Sequence, residues 1–477
     1  MSQTLKIVTT SIVIFLMCSS CGSQEQYSNN LGKMWTQFQP IIVDTIKNNS
    51  TKLILDSSIH SVAIENVSII NKITDQPRII GLGEPTHGTK ESTRINIFIL
   101  KSLIQNNGLR HICFEGDIVG GITLNNYILG RTQKSTDYNA AFAWLGIYDT
   151  DFANFIEWLK TYNTGLAAND KVQLYGLGYL YRTKAIEYIM SYVKQIEPEF
   201  YDSVKTYYQA LNTQLTWEES RYFFPTDYDS STVITLRKNA ASVVEHLEAN
   251  QKTYFQKSDS LNVRNIIRLA VSIGFSLLLP DPRENDKFSN LFYNKETLSN
   301  NDVEKIRRYS QFLHQRHRDY CLFTNFQAVF KEIPDRNKIA VWGHNLHIGK
   351  RLDQNNKTTI KRLGFWLNEK YGKQYSAIGY IFYQGKAYTQ IQHESALKIT
   401  TIDAQHPPDG SIENFIQKFT SSNVFINIQS LNKLPISQEQ ILMRSIGSQY
   451  DGEEFIPTYV TKDFDALIFL QKTTPSQ

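Results

Sequence analysis

From Arg78 to Tyr179, short apolar runs alternate with longer stretches in which apolar residues recur every three to four positions. Short continuous apolar runs read as strands buried on both faces, and the 3.6-residue period reads as amphipathic helix. The pattern predicts a strand ending at Arg78-Ile79-Ile80, a helix over Ser92–Asn106 and a strand over His111–Phe114. Helices then follow from Asn125 and over Asp151–Tyr162, and a strand over Val172–Tyr175. Such alternation points to a parallel sheet joined by crossover helices. Between Lys184 and Phe330 the strand pattern stops. Amphipathic segments such as Ala185–Lys194 and Val303–Phe330, punctuated by Pro225, Pro280 and Pro282, predict a helical insertion. Arg264–Leu279 is the most apolar of these helices and is expected as buried core, not as a membrane span. Strands resume at Ile339–Trp342 and Tyr375–Tyr383. The last third adds short strands and turns around Pro407-Pro408-Asp409-Gly410 and ends on Phe464–Leu470.

The expected fold class is therefore α/β, with a mostly parallel central sheet flanked by helices, a helical insertion domain and a small α+β element near the C-terminus. The expected boundaries are 1–21 for a leader, 22–75 for a tether and N-terminal helix, 76–182 for the first part of the α/β core, 183–333 for the insertion and 334–477 for the remainder.

The leader sets the expected compartment. Lys6 precedes the apolar run Ile7–Met17, which at 11 residues is too short for the roughly 20 that span a bilayer and suits a signal-peptide core. It ends in Cys18-Ser-Ser-Cys21, a small-residue pair before a cysteine, which resembles a bacterial lipoprotein cleavage site although Cys18 stands where Leu is commoner. Cys21 is the expected lipidation site. The protein is accordingly expected in the bacterial cell envelope, as a lipoprotein of the periplasm or outer membrane that touches membrane through its lipid anchor only. Cys113 and Cys321, in apolar and helical surroundings, read as small buried hydrophobes. A formal charge of +4 over 477 residues, with no basic tract, zinc spacing or RNA-binding aromatic motif, argues against a nucleic-acid partner.

The chemistry gathers at the ends of predicted strands. Gly81-Leu-Gly-Glu84-Pro-Thr-His87-Gly88 places a carboxylate and an imidazole on the turn where a strand becomes a helix. In open α/β sheets that strand-end crevice is where ligands bind. His87 has the side chain whose ordinary pKa suits proton transfer near neutrality, and Glu84 is near enough in sequence to orient it. A second apolar strand runs into Gly343-His344-Asn345-Leu346-His347 and carries two of the chain's 10 histidines; a third ends in Glu115-Gly116-Asp117. Asp117 reads as a turn cap, and Lys350 and Arg351 as a solvated helix start. The absence of a Gly-x-Ser-x-Gly elbow counts against a serine nucleophile.

These segments resemble the erythromycin esterase family of bacterial hydrolases. Its Gly-Glu-x-x-His-Gly segment matches Gly83 to Gly88, its Phe-Glu strand end matches Phe114-Glu115, and its His-Asn-x-His segment matches His344 to His347. Further likenesses run from Trp158-Leu-Lys-Thr-Tyr162-Asn163 through Tyr175-Gly176, Arg318-Asp319 with Asn325, Leu363-Gly364, Gly410-Ser411-x-Glu413 and Arg444-x-Ile-Gly447 to Phe464-Asp465-Ala466. The resemblance implies a metal-independent esterase with His87 as general base and Glu84 or Glu115 orienting it. His344 and His347 would donate to the carbonyl oxygen or protonate the leaving alkoxide. Arg94, in the helix after His87, would supply a fixed positive charge or stand as a surface residue. No cofactor is expected; the alternative is a divalent metal held by Glu84, His87, Glu115, His344 and His347. The expected substrate is a small-molecule ester such as the lactone of a fourteen-membered macrolide. The alternatives are an esterase for envelope or polysaccharide acyl groups and a non-catalytic ligand-binding lipoprotein. Gly178, where an aspartate is common, Tyr148-Asp149, replacing a tryptophan-rich turn, and Leu322-Phe323 depart from the family pattern and bear on substrate identity.

Overall fold

The computed structural model describes residues 44–56, 61–64, 77–133, 149–178, 182–211, 230–277, 318–351, 353–355, 358–393, 396–447, 449–450 and 452–476. The leader, Cys21 and the tether lie outside the described residues. Residues 44–48 are helical, but the segment after them, within the stretch expected as tether and N-terminal helix, forms strands β1 (Ser50–Asp56) and β2 (Ser61–Ile64). Thr51 and Leu53 are buried while Lys52 and Ile54 are exposed, the two-residue alternation of a strand with one face covered.

The alternating pattern from Arg78 onward becomes β3 (Ile79–Leu82), α1 (Lys90–Asn106), β4 (Leu109–Asp117), α2 (Ile118–Ile128), α3 (Thr150–Asn163) and β5 (Gln173–Gly178). Asp117 and Asp149 cap α2 and α3, accepting the Val119 and Phe152 amides, each at 2.8 Å, which satisfies donors that a helix start leaves open. Helices α4 (Arg182–Ile196), α5 (Pro198–Tyr208), α6 (Ser230–Ala249), α7 (Gln251–Lys257), α8 (Ser260–Leu277) and α9 (residues 318–330) follow. Among the described residues none of these helices is long and apolar enough to cross a membrane. Ile186, Val243, Leu247 and Ile266 form a core of their own for α4, α6 and α8, joined to the rest through Ile118 and Ile122 of α2.

The chain returns to the sheet as β6 (Lys338–Trp342), followed by the short helix α10 (Asn345–Ile348), the paired strands β7 (Asp353–Asn355) and β8 (Thr358–Ile360), and α11 (Leu363–Tyr371). The long strand β9 (Tyr375–His393), β10 (Ala396–Asp403), α12 (Ile412–Gln417) and β11 (Val424–Asn427) come next. The chain ends with β12 (Ile441–Arg444), β13 (Gln449–Tyr450), β14 (Phe455–Thr458), α13 (Val460–Asp463) and β15 (Ala466–Thr473).

Among the described residues the central sheet has 11 strands in the order β2-β1-β11-β15-β9-β3-β6-β4-β5, with β10 and β13 paired to β9 off that path. From β15 to β5 every neighbouring pair is parallel, whereas β11, β1 and β2 add an antiparallel edge. The C-terminal strands β11 and β15 thus belong to the main sheet, and β12 with β14 forms a separate antiparallel pair. One face packs Ile80, Leu82, Phe114 and Trp342 against α1, α2 and α3; the other packs Ile79, Cys113 and Val341 against α9, α11 and α12. Trp342 is fully buried, with Phe114 and Phe152 rings at 5.7 and 6.0 Å. Ring pairs of this kind add about 0.5–1.5 kcal/mol each beyond burial, so the end of β6 stands on a stiff platform. β6 lies between β3 and β4, and the carboxyl ends of these three strands face one crevice.

Candidate active site

The turn after β3 is tied down by backbone on several sides. The Gly83 amide donates to Ile378 O at 2.9 Å, the Asn345 amide to Glu84 O at 3.0 Å and the Ile446 amide to Pro85 O at 2.8 Å. Asn96 of α1 donates to Gly83 O at 3.0 Å and accepts the Tyr380 hydroxyl at 2.6 Å. Gly88 admits no side chain, because a Cβ there would stand 1.7 Å from Tyr388 O. At the end of β6, a Cβ on Gly343 would come within 2.9 Å of Glu115 Oε2. That missing side chain lets the β4 carboxylate reach across beneath the His344 turn.

His87 Nδ1 lies 2.6 Å from Glu84 Oε1, while its Nε2 faces Glu115 Oε1 at 3.6 Å. A carboxylate in that place accepts the Nδ1 proton and leaves Nε2 to take another. Trp342 Nε1 donates to the other Glu84 oxygen at 3.3 Å. Burial works against charge on His87, yet Glu115 and Glu84 outweigh it and hold the imidazole pKa above its ordinary value. Burial also raises Glu84, against the pull of His87. The buried pair therefore keeps its proton to higher pH than a free imidazole would.

Glu115 is the hub. Its Oε1 accepts Arg318 Nη2 at 2.9 Å and its Oε2 accepts the His344 amide at 2.7 Å. Burial would raise this carboxyl, but His347, His87 and Arg318 together with the His344 amide hold it well below the usual carboxylate range. His347 Nδ1 lies 2.6 Å from Asp319 Oδ1 and its Nε2 lies 2.7 Å from Arg318 Nη1. A guanidinium only donates, so in the neutral ring Nε2 accepts from Arg318 and Nδ1–H donates to Asp319. The same Nε2 lies 3.4 Å from Glu115 Oε1, where a charged ring would face that carboxylate. Asp319 is fully buried and also accepts the Leu363 amide at 2.9 Å and Arg362 Nη1 at 3.2 Å. Burial pushes its carboxyl up, and His347, Arg362 and Arg318 more than reverse this.

His87, Glu84, Glu115 and His347 are thus brought together. His344 is present but engaged: the Leu346 amide donates to its Nδ1 and its Nε2–H donates to Pro85 O, both at 3.2 Å. Burial, with His87 beside it, pushes its pKa down to about 3, so the ring is neutral and caps α10. The donor role expected for it is not open in this arrangement. Arg94 is engaged with another helix. Its Nε pairs with Asp151 Oδ2 at 2.7 Å, joining α1 to α3, and Arg318 is the guanidinium that enters the cluster. Asp117 is the turn cap it was expected to be. Lys350 and Arg351 are not a solvated helix start: they pair with Asp465 at 2.5 Å and with Asp463 at 2.9 Å. Arg318 and Asp319 were missed as site residues. Their signal was the Arg-Asp pair upstream of the His-Asn-x-His strand, which spacing alone does not bring to the other strand ends.

In this arrangement the five residues named for a metal are engaged with one another, with Arg318 and Asp319, and with backbone. Both His344 nitrogens are spent on backbone, His347 on Asp319 and Arg318, and the Arg318 cation occupies the Glu115–His347 gap that a second cation would need. Among the described residues no group of three or more His, Cys, Asp or Glu is disposed to hold a metal ion.

Comparison with known proteins gives the lineage. The chain is 23% identical over 437 residues to the putative hydrolase YbfO of Bacillus subtilis, covering 88% of this chain and 89% of that one. It is 21% identical over 426 residues to the erythromycin esterase type II of Escherichia coli, covering 86% and 92% respectively. A solved structure described as a succinoglycan biosynthesis protein superposes with a TM-score of 0.70 at 20% identity, covering 92% of this chain and 99% of the other, which shows a shared fold. The profile of the family described as Erythromycin esterase matches residues 104–473; it begins after the His87 turn, whose assignment rests on the motif and the geometry above. With most of its length under that match, the chain belongs to the erythromycin esterase family.

Proposed function

We propose that this protein is an exported hydrolase that opens the lactone ester of a fourteen-membered macrolide or a comparably bulky carboxylic ester, with water activated by His87. His87 Nε2 takes a proton from water as the hydroxide oxygen bonds to the ester carbonyl carbon. The tetrahedral intermediate then collapses, the ester C–O bond breaks, and the alkoxide leaves with the proton that His87 gained. Glu84 holds the ring and balances its charge while the proton is on it. Arg318, fixed between Glu115 and His347, supplies the positive field for the developing oxyanion. His347 and Asp319 hold Arg318 in place. The observation that carries the reading is the His87–Glu84 contact of 2.6 Å with Nε2 turned toward Glu115, the carboxylate that Arg318 also holds. No metal is needed for these steps. Family membership and the name of the Escherichia coli relative support an ester substrate.

Export on a lipidated Cys21, with the protein held in the cell envelope, belongs to the same proposal and rests on the leader pattern from Lys6 to Cys21. The test is to incubate the purified protein with erythromycin and look by mass spectrometry for the gain of one water. No gain by the wild type overturns the macrolide substrate. A second reading, release of acyl groups from an envelope polysaccharide, is favoured by the description of the succinoglycan-biosynthesis structure. It is tested by assaying acid release from acylated polysaccharide.

A further inference from the structure

In a parallel ladder each residue of one strand bonds, through its amide and its carbonyl, to the two residues that flank its partner. β3 and β9 pair in register from Ile79 with Tyr375 to Leu82 with Ile378, and the Gly83 amide continues the series onto Ile378 O at 2.9 Å. The next bond of that series would run from the Tyr380 amide to Gly83 O. Two side-chain amides take up those groups instead. The Tyr380 amide donates to Asn345 Oδ1 at 3.0 Å, and Gly83 O accepts Asn96 Nδ2 at 3.0 Å. Asn345 Nδ2 also donates to Tyr380 O at 2.6 Å, so its side chain pairs with both backbone groups of Tyr380 as a strand would. The Tyr380 hydroxyl closes the circuit on Asn96 Oδ1 at 2.6 Å. Gly83 leaves the room for this, because a Cβ there would stand 2.2 Å from Asn345 Oδ1. Asn96, Asn345 and Tyr380 are all buried, where water cannot replace a lost partner.

The consequence falls on Glu84, the residue after Gly83. β3 lies between β9 and β6. Closing the ladder on Tyr380 would draw the Gly83–Glu84 peptide toward β9. That is away from β6, whose Trp342 Nε1 holds one Glu84 oxygen at 3.3 Å while His87 Nδ1 meets the other at 2.6 Å. The Asn345 amide holds Glu84 O on that same side at 3.0 Å. We propose that Asn345 and Asn96 are positioning residues for the Glu84–His87 pair: their side-chain amides intercept the last β3–β9 ladder bond and end the strand where Glu84 can meet His87. The proposal rests on the reading of that pair as the acid–base centre.

The test is an NMR titration of the His87 imidazole in the full-length chain, without substrate, with Glu84→Gln as reference. Asn345→Ala removes both bonds to Tyr380. The His87 titration should then fall by about 1 unit as Glu84 draws away, the lower end of the roughly 1–3 units that a nearby carboxylate supplies. Glu115, Arg318 and His344 also face the ring, from β4, α9 and the turn after β6. Asn96→Ala, made in α1, reads Glu84 with those groups in place and should act in the same direction. Alanine suits a helix interior, so this variant carries the test if Asn345→Ala does not fold by circular dichroism. Ile104→Val loosens the buried core at the other end of α1 and should leave the titration where it is. An unchanged titration in a folded asparagine variant, while Glu84→Gln lowers it, overturns the proposal. So does an equal fall in Ile104→Val, which would mark general loosening. If Glu84→Gln itself leaves His87 unmoved, the acid–base reading has failed and the two amides have nothing to position.

Discussion

Replacing Glu84 by Gln keeps the shape of the side chain and removes its charge, so its effect on His87 follows from the contacts. In the wild type, burial is the largest influence on the imidazole and disfavours its charged form; Arg318 acts the same way, and Glu115 and Glu84 reverse both. The Glu84 contact is the shorter, 2.6 Å against 3.6 Å to Glu115. With Gln at position 84, burial and Arg318 oppose protonation and only Glu115 favours it. A carboxylate at such a distance shifts a pKa by about 1–3 units, so the His87 titration should fall by about that much. At roughly 1.4 kcal/mol per unit, this is about 1.4–4 kcal/mol of lost support for the imidazolium. The sign for stability follows. A raised folded-state pKa contributes stability that is fully present below the unfolded value and is lost as pH rises through the folded value, so the variant loses an acid-side advantage that the wild type has. The assay is an NMR titration of the imidazole nitrogens, with His87 assigned as the signal missing from His87→Ala; it needs no substrate. An unchanged or raised His87 titration in folded Glu84→Gln refutes the orienting role of Glu84.

His87→Ala should lower ester hydrolysis by about 10²–10⁴, the usual worth of a general base, with the fold intact by circular dichroism; near-normal kcat would show that another group activates water. Asp319→Ala removes the buried acceptor of His347, Arg362 and the Leu363 amide and should cost about 3–5 kcal/mol in urea unfolding, so a change under about 1 kcal/mol would place the carboxylate nearer solvent than it stands here. Dialysis against EDTA should leave activity unchanged, and activity lost and then restored by zinc or manganese would recast the cluster as a metal site. The wild type should fractionate with membranes and Cys21→Ser should become soluble or keep its leader; a wild type found wholly soluble would end the lipid-anchor proposal.

Much of this protein was legible in its pattern. Short apolar runs alternating with 3.6-residue periodicity specified the parallel strands and crossover helices, because burial on both faces of a strand leaves a continuous apolar run that a surface strand lacks. Glu84 and His87 are three residues apart on one turn, so their contact is local and could be read without a fold. The edge strands β1 and β2 were not readable: a half-covered strand of a few residues carries little signal, and its partner β11 is some 370 positions away by the pairing of Ser50 with Ile426. The destinations of charged side chains were equally hidden. Arg94 and Arg318 look alike in sequence, yet α3 gives the first an aspartate and the packing of α9 gives the second Glu115 and His347. The same is true of the histidines. His344 and His347 sit three positions apart, and only the surrounding backbone and Asp319 decide that one is a neutral helix cap and the other an anchored partner of Arg318. Periodicity records which face of an element is buried; what stands opposite that face is set by chain segments far away in sequence, and it is there that tautomer, charge and role are decided.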